Sequence, residues 1–167
     1  MPPAKIDIDR LLRAASEART RAYAPYSGFA VGAAVLANGR VYSAANVENS
    51  AFPLSVCAER NAVALAVSDG ARRIDAVAVV GGDSRPTAPC GGCRQVLAEF
   101  AQGDARVVYA TRSGERVSTT LGALLPDAFS AADLKEERAG STGSRAGRAP
   151  GRRRSAARAR ASRTSGR

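Results

Sequence analysis

Cys57-Ala58-Glu59-Arg60, followed some thirty residues later by Pro89-Cys90-Gly91-Gly92-Cys93, are the two segments around which this chain is organised. Between them they hold all 3 cysteines of the protein. Three thiolates can fill three of the four tetrahedral positions around a zinc ion, and an open fourth position separates a catalytic site from a structural one. Glu59, two residues after the first cysteine, is spaced to sit beside that open position and move protons. Cys57 precedes one predicted helix, and Cys90 and Cys93 frame the start of another. Helix N-termini carry unpaired N–H groups and partial positive charge, which favours thiolate over thiol. Pro89 stops the preceding segment, and Gly91-Gly92 lets backbone amides turn toward the sulfurs.

The plainer readings are weaker. Isolated cysteines are often simply buried, but here spacing, glycines and helix starts coincide. A structural zinc would need a fourth ligand, and the chain has no further Cys and no His. Arg60 could hydrogen-bond thiolate sulfur and draw off negative charge; its alternative is an ordinary exposed helix arginine. Glu59 alone would read as a helix-start glutamate stabilised by the dipole, and its place after a ligand favours the proton shuttle.

Composition narrows the classes further. With no histidine, there can be no Ser-His-Asp triad, no Cys-His pair and no histidine base. A hydrolytic enzyme of this sequence must activate water with a metal or a carboxylate. The 167 residues suit one folded domain. No stretch reaches the roughly 18 apolar residues of a membrane span, and Met1 to Arg10 lacks the layout of a signal peptide. An odd number of cysteines fits a reducing compartment, so a cytoplasmic protein is expected. The net charge of +10 is local: from Arg138 onward stand ten arginines and no acid. Removing these from 25 basic residues leaves 15, matched by the 15 acids of residues 1–137. Residues 138–167, rich in Arg, Ser, Gly and Ala, cannot bury a core and are expected to be a disordered tail beyond a catalytic domain at 1–137. Such a tail could bind nucleic acid through phosphate contacts, but charge blocks are commonly only solvated.

Periodicity supplies the elements. Asp7 or Asp9 caps a first helix running to about Tyr23, with Leu11, Leu12, Ala15 and Ala18 as its apolar face and Pro25 ending it. Phe29 to Ala37 and Val41 to Val47 form a hairpin about Asn38-Gly39. Ala58 to Val67 is a helix stopped at Asp69-Gly70. Ile74 to Val80 and Arg106 to Ala110 are buried strands, Gly91 to Phe100 is a helix, and Thr119 or Thr120 caps a short turn. Helices alternating with buried strands predict a three-layer α/β/α sandwich with a hairpin at one edge.

Cys-x-Glu followed by Pro-Cys-x-x-Cys is the general signature of zinc deaminases, and further stretches narrow it. Tyr23-Ala24-Pro25-Tyr26-Ser27, Phe29 to Ala34, Asn46-Val47-Glu48-Asn49, Cys90 to Val96 and Leu124 to Phe129 accompany the cysteine motifs in order over about residues 9–135. In these the chain resembles the small homotetrameric cytidine deaminases of pyrimidine salvage. The resemblance implies a mixed five-stranded sheet, one Zn2+ per chain on Cys57, Cys90 and Cys93, and hydrolysis of cytidine or deoxycytidine to the uracil nucleoside plus ammonia. It implies that Glu59 is the proton shuttle and that Asn46, Val47 and Glu48 lie at the substrate, with Asn46 and Glu48 on ribose hydroxyls. Alternation at period two would aim those two side chains the same way. It implies that Phe29 packs on the base, that the Ala58 N–H holds the base carbonyl, and that Phe129 comes from a neighbouring subunit. Departures from the pattern are Ala44-Ala45, where many relatives have Gly-Cys, Phe52, where tyrosine is frequent, and the arginine-rich tail. Two other readings stay open: a deaminase of another aminopyrimidine such as blasticidin S, and an RNA-binding protein with structural zinc and a basic tail.

Overall fold

The computed structural model describes residues 6–134, so the expected tail at 138–167 lies outside the described residues. The chain divides into Met1–Ser130 and Ala131–Arg167. In the second unit the described residues, 131–134, form a turn of helix.

The first unit opens on α1, Ile8–Arg19, capped by Asp7, whose Oδ1 accepts from the Arg10 N–H at 2.9 Å. Two strands follow, β1 (Gly32–Ala37) and β2 (Arg40–Ala45). They turn at Asn38-Gly39, both at positive φ (51° and 73°), as a type I′ hairpin requires. Helix α2 is Ala58–Ser68, β3 is Ile74–Val80, and α3 is Gly91–Phe100. Strand β4 (Ala101–Ala110) leads to β5 (Arg116–Thr120) and to the short α4 (Leu121–Leu124), capped by Thr120. The sheet has five strands in the order β2-β1-β3-β4-β5, mixed because only β3 and β4 run parallel.

Strand alternation splits the core in two. Ala34, Ala76, Ala78, Val80 and Ala110 face Leu11 and Ala15 of α1. Ala33, Val35, Val77, Val79 and Val107 face Ala58, Ala62, Val63 and Ala66 of α2 and Leu97 of α3. This is the expected three-layer α/β/α sandwich. The α1 face is built largely from alanine, which allows a close approach. At the start of β1 even a methyl is too large: a Cβ on Gly32 would lie 1.9 Å from the carbonyl oxygen of Ala15. Leu11, Ile74 and Leu97 are the largest fully buried aliphatic side chains, each contributing about 1.5–3 kcal/mol of hydrophobic stabilisation.

Four boundaries depart from the sequence reading; one is β2, which ends at Ala45, not Val47, because Val47 pairs instead with Tyr23 and Val56. Helix α1 stops at Arg19, not Tyr23, because the Tyr23 backbone pairs with the chain after β2: its N–H donates to Asn46 O at 3.0 Å, and its carbonyl accepts from Glu48 N at 2.8 Å. Strand β1 begins at Gly32, not Phe29, since the Val31 amide is claimed by the Asn46 side chain. Strand β4 begins directly after α3, five residues before Arg106, along an exposed stretch at Gln102–Asp104 that carries no apolar signal.

Candidate active site

Helices α2 and α3 begin at one point. Cys57 is the residue before α2, Cys90 the residue before α3, and Cys93 lies in the first turn of α3. Their sulfurs all lie within 4.8 Å of one another, Cys57 to Cys90 at 4.0 Å. A zinc ion with Zn–S bonds of about 2.3 Å and tetrahedral angles sets sulfurs about 3.8 Å apart, whereas a disulfide needs about 2 Å. The three thiols are free. They also compete for protons. A hydrogen bond from Cys93 draws the Cys57 thiol down to about 6, aided by the Arg60 charge, against desolvation and the nearby Glu59. The same bond to Cys57, with burial, drives Cys93 upward. Three sulfurs cannot all ionise against one another without a cation, and a dication with soft-ligand tolerance is what this donor set fits.

Glu59, in the first turn of α2, is 5% exposed. Burial raises its carboxyl above the ordinary glutamate range, outweighing the backbone N–H and Cys93 hydrogen bonds that lower it. A carboxyl moved toward neutrality is suited to taking and returning a proton. Ala58 is the first residue of α2, so its amide is among the donors a helix leaves unpaired.

Glu59, Ala58, Cys57 and Cys90 form one end of a cleft of about 270 Å³, whose other lining includes Ser27, Phe29, Asn46, Glu48 and Thr87. Phe29, 42% exposed, packs over Gly81-Gly82 at the exit of β3; a Cβ on Gly82 would come within 3.2 Å of its ring. Asn46 holds this wall in place. Its Oδ1 accepts from Val31 N at 2.9 Å, and its Nδ2 donates to Phe29 O at 3.0 Å. Glu48 Oε2 accepts from the Tyr26 and Ser27 amides at 2.9 and 3.2 Å, and its Oε1 accepts from the Ser27 hydroxyl. These bonds, the Ser27 hydroxyl foremost, hold the Glu48 carboxyl below its ordinary range against some desolvation. Asn46 and Glu48 stand beyond the end of β2, yet period-two alternation still turns both into the cleft.

Three of the residues singled out from sequence stand elsewhere. Val47 turns its side chain away from the cleft, 48% exposed, beside Ala44, Ala45 and Asn61; only its backbone is engaged, with Val56 at 2.9 Å. The Arg60 side chain is exposed and among the described residues makes no hydrogen bond, reaching Cys57 only through its charge. Phe129 is 60% exposed, its carbonyl accepting from Gln95 Nε2 at 2.7 Å. Sequence reasoning did not assign Ser27 or Thr87 to the site. Ser27 falls in a Pro-Tyr-Ser-Gly turn, where a hydroxyl reads as solvent polarity. Arg94 was also unassigned: it bonds Pro89 O at 2.8 Å and Leu124 O at 2.9 Å, fixing the start of α3.

A three-sulfur metal cluster with a buried glutamate at two facing helix starts, on an α/β/α sandwich, defines a zinc-dependent deaminase class of protein. The comparisons agree at the level of sequence and of fold. The chain belongs to the family described as "Cytidine and deoxycytidylate deaminase zinc-binding region", whose model matches residues 5–111. It is 48% identical over 130 residues to a cytidine deaminase of Sporosarcina psychrophila, covering 77% of this chain and 96% of that one. It is 42% identical over 134 residues to a cytidine deaminase of Mycobacterium tuberculosis, covering 80% and 97%. The crystal structure of cytidine deaminase from Burkholderia pseudomallei superposes with a TM-score of 0.71 at 46% identity, covering 74% of this chain and all of that one. Among the described residues no helix is long and apolar enough to cross a membrane.

Proposed function

We propose that this protein is a cytidine deaminase of pyrimidine salvage, hydrolysing cytidine and deoxycytidine to uridine and deoxyuridine with release of ammonia. The observation that carries the reading is the buried Glu59 carboxyl beside the three sulfurs, in the wall of a cleft of nucleoside size. Cys57, Cys90 and Cys93 would hold Zn2+, which when bound acts as a Lewis acid and lowers the pKa of water. The chain's own residues do the rest. Glu59 takes a proton from the attacking water and delivers it to the ring nitrogen next to C4. It then takes the second from the oxygen now bonded to C4 and passes it to the amine, which leaves as ammonia as the C4–N bond breaks and the C4 carbonyl forms. Burial of Glu59 serves both transfers, since a carboxyl raised above the ordinary glutamate range takes up a proton more readily and can still return it. The Ala58 amide receives the base carbonyl oxygen, Phe29 stacks on the ring, and Asn46 and Glu48 take sugar hydroxyls with the bonding capacity their scaffold bonds leave free.

The assembly is read as a homotetramer. Phe52, Leu54 and Phe129 are exposed apolar side chains, Phe52 at 69%, and burying them between copies would bring Phe129 to a neighbour's cleft. Three unpaired cysteines suit the cytoplasm. We assign the catalytic domain to residues 1–137 and give the arginine-rich 138–167 no catalytic part; binding of nucleic acid by it is not favoured.

Ultraviolet-monitored turnover of cytidine, with zinc content and light-scattering mass on the same sample, tests the reading. Conversion to uridine at about one zinc per chain, by particles of about four 17.2 kDa chains and unchanged on deleting 138–167, is the expected result. Zinc without turnover would overturn the substrate, and a monomeric mass the assembly.

A further inference from the structure

We propose that Ser27 is a positioning residue through which the sugar-facing carboxylate and the base-stacking ring are set together. The inference rests on the cytidine reading above. The Ser27 hydroxyl donates to Glu48 Oε1 while its oxygen accepts from the Phe29 N–H at 3.0 Å. One hydroxyl therefore joins the Glu48 side chain to the backbone of Phe29, two residues that the reading gives to opposite ends of a nucleoside. The Ser27 amide adds a bond to Glu48 Oε2 at 3.2 Å, so the residue holds both carboxylate oxygens. Gly28, at φ +68°, gives the reversal that carries the Phe29 amide back over the hydroxyl, a backbone state other residues enter at a cost. On the far side Asn46 returns the link, its Nδ2 donating to the Phe29 carbonyl at 3.0 Å. Phe29 is thus held at its N–H by the neighbour of Glu48 and at its C=O by Asn46.

Removing the hydroxyl leaves Glu48 its two amide donors, but Oε1 is then free to rotate away and the Phe29 amide loses its acceptor. The ordinary role of a serine in such a turn is to close the turn alone. That role affects stability and leaves the ionisation of Glu48 untouched. A positioning role moves both sugar binding and the pH range in which the carboxylate is charged.

The test compares zinc-loaded wild type with Ser27→Ala, Ser27→Thr, Glu48→Ala and Ser27→Ala/Glu48→Ala. Cytidine kinetics across pH are read together with uridine binding by calorimetry. Ser27→Ala is expected to lose about 10- to 100-fold in kcat/KM, chiefly through KM, as for one hydrogen bond to a charged group. Uridine binding weakens in parallel, and the acid limb of kcat/KM moves to higher pH. Ser27→Thr, which keeps the hydroxyl, restores the acid limb and most of the affinity. In the Glu48→Ala background the serine change costs clearly less than in the wild type, because only the bond from the Phe29 N–H is left to lose. Losses that multiply in the double variant overturn the proposal, as do wild-type KM, uridine affinity and acid limb in Ser27→Ala. Absence of cytidine turnover by the wild type overturns the functional reading instead, and this inference falls with it.

Discussion

Arg19 and Gly81, 62 positions apart in sequence, are joined by a 3.1 Å hydrogen bond from the guanidinium Nε to the carbonyl, and the same Nε donates to Ala30 O at 3.0 Å. The last residue of α1 thereby clamps the entry to β1 against the exit of β3. The first of these segments carries Phe29, and its ring packs on the second at Gly81-Gly82. Replacing Arg19 by Met keeps the stem and removes the donors, leaving two carbonyls without them. The side chain is only 18% exposed, so a loss of about 1–3 kcal/mol in urea unfolding is expected, with weaker uridine binding. Unchanged values for both would mean that Phe29 is seated by packing alone.

Glu59→Ala should keep the fold and bind zinc, while turnover falls about 10²- to 10⁴-fold. Stability should not fall, because the variant no longer buries a carboxyl. Metal analysis and kinetics on one preparation check it. Near-normal activity would remove Glu59 from the proton transfers.

Removing zinc with a chelator should abolish turnover and lower the melting temperature, both recovering with about one equivalent of added Zn2+. At a hundredfold excess over Kd the metal stabilises by about 2.7 kcal/mol. Cys93→Ala, which removes the buried ligand, should bind no zinc at equal concentrations. A chelated protein that melts unchanged would mean the sulfurs do not hold the ion in solution.

Glu48 gives a pH signature in stability. Its carboxyl is held below the ordinary range, first by the Ser27 hydroxyl and then by two backbone amides that together outweigh desolvation. A depressed folded pKa contributes stability above the unfolded value of about 4.3, and that contribution is lost as pH falls through the folded pKa. Wild type should therefore melt higher than Glu48→Gln at pH 7, with the gap closing on acidification through the carboxylate range. A gap that stays constant or widens toward low pH would contradict the bonding described.

How much of this could be read in the sequence follows from how local each signal is. Both cysteine motifs are contiguous, and each sits where a proline, a pair of glycines or the onset of an alanine-rich run marks a helix start. Helix α3 accordingly has the predicted bounds of Gly91 and Phe100. Strand β5, Arg116–Thr120, went unplaced because an edge strand facing solvent has no apolar pattern; four of its five residues are exposed. The end of α1 was misplaced because the periodicity of Ala18 and its neighbours persists past the point where Tyr23 is taken by a bridge to Val47. The supports of the site were invisible for a related reason. Arg19, Ser27 and Arg94 act mainly by side-chain bonds to partners 11 to 64 residues distant, or to a bare carbonyl, and Asn46, singled out for the sugar, also braces Val31 and Phe29 across 15 to 17 residues. No residue type announces such a partner.

The sheet has a polarity with a practical consequence. Val31, Asn46 and Gly81 all lie at one end of the strands, where β1 begins and β2 and β3 finish. The Asn38-Gly39 hairpin lies at the opposite end. A peptide tag, a fluorophore or a surface tether grafted into that hairpin would be separated from the cleft by the full length of β1. The molecule can thus be immobilised in a defined orientation, with its mouth facing solution.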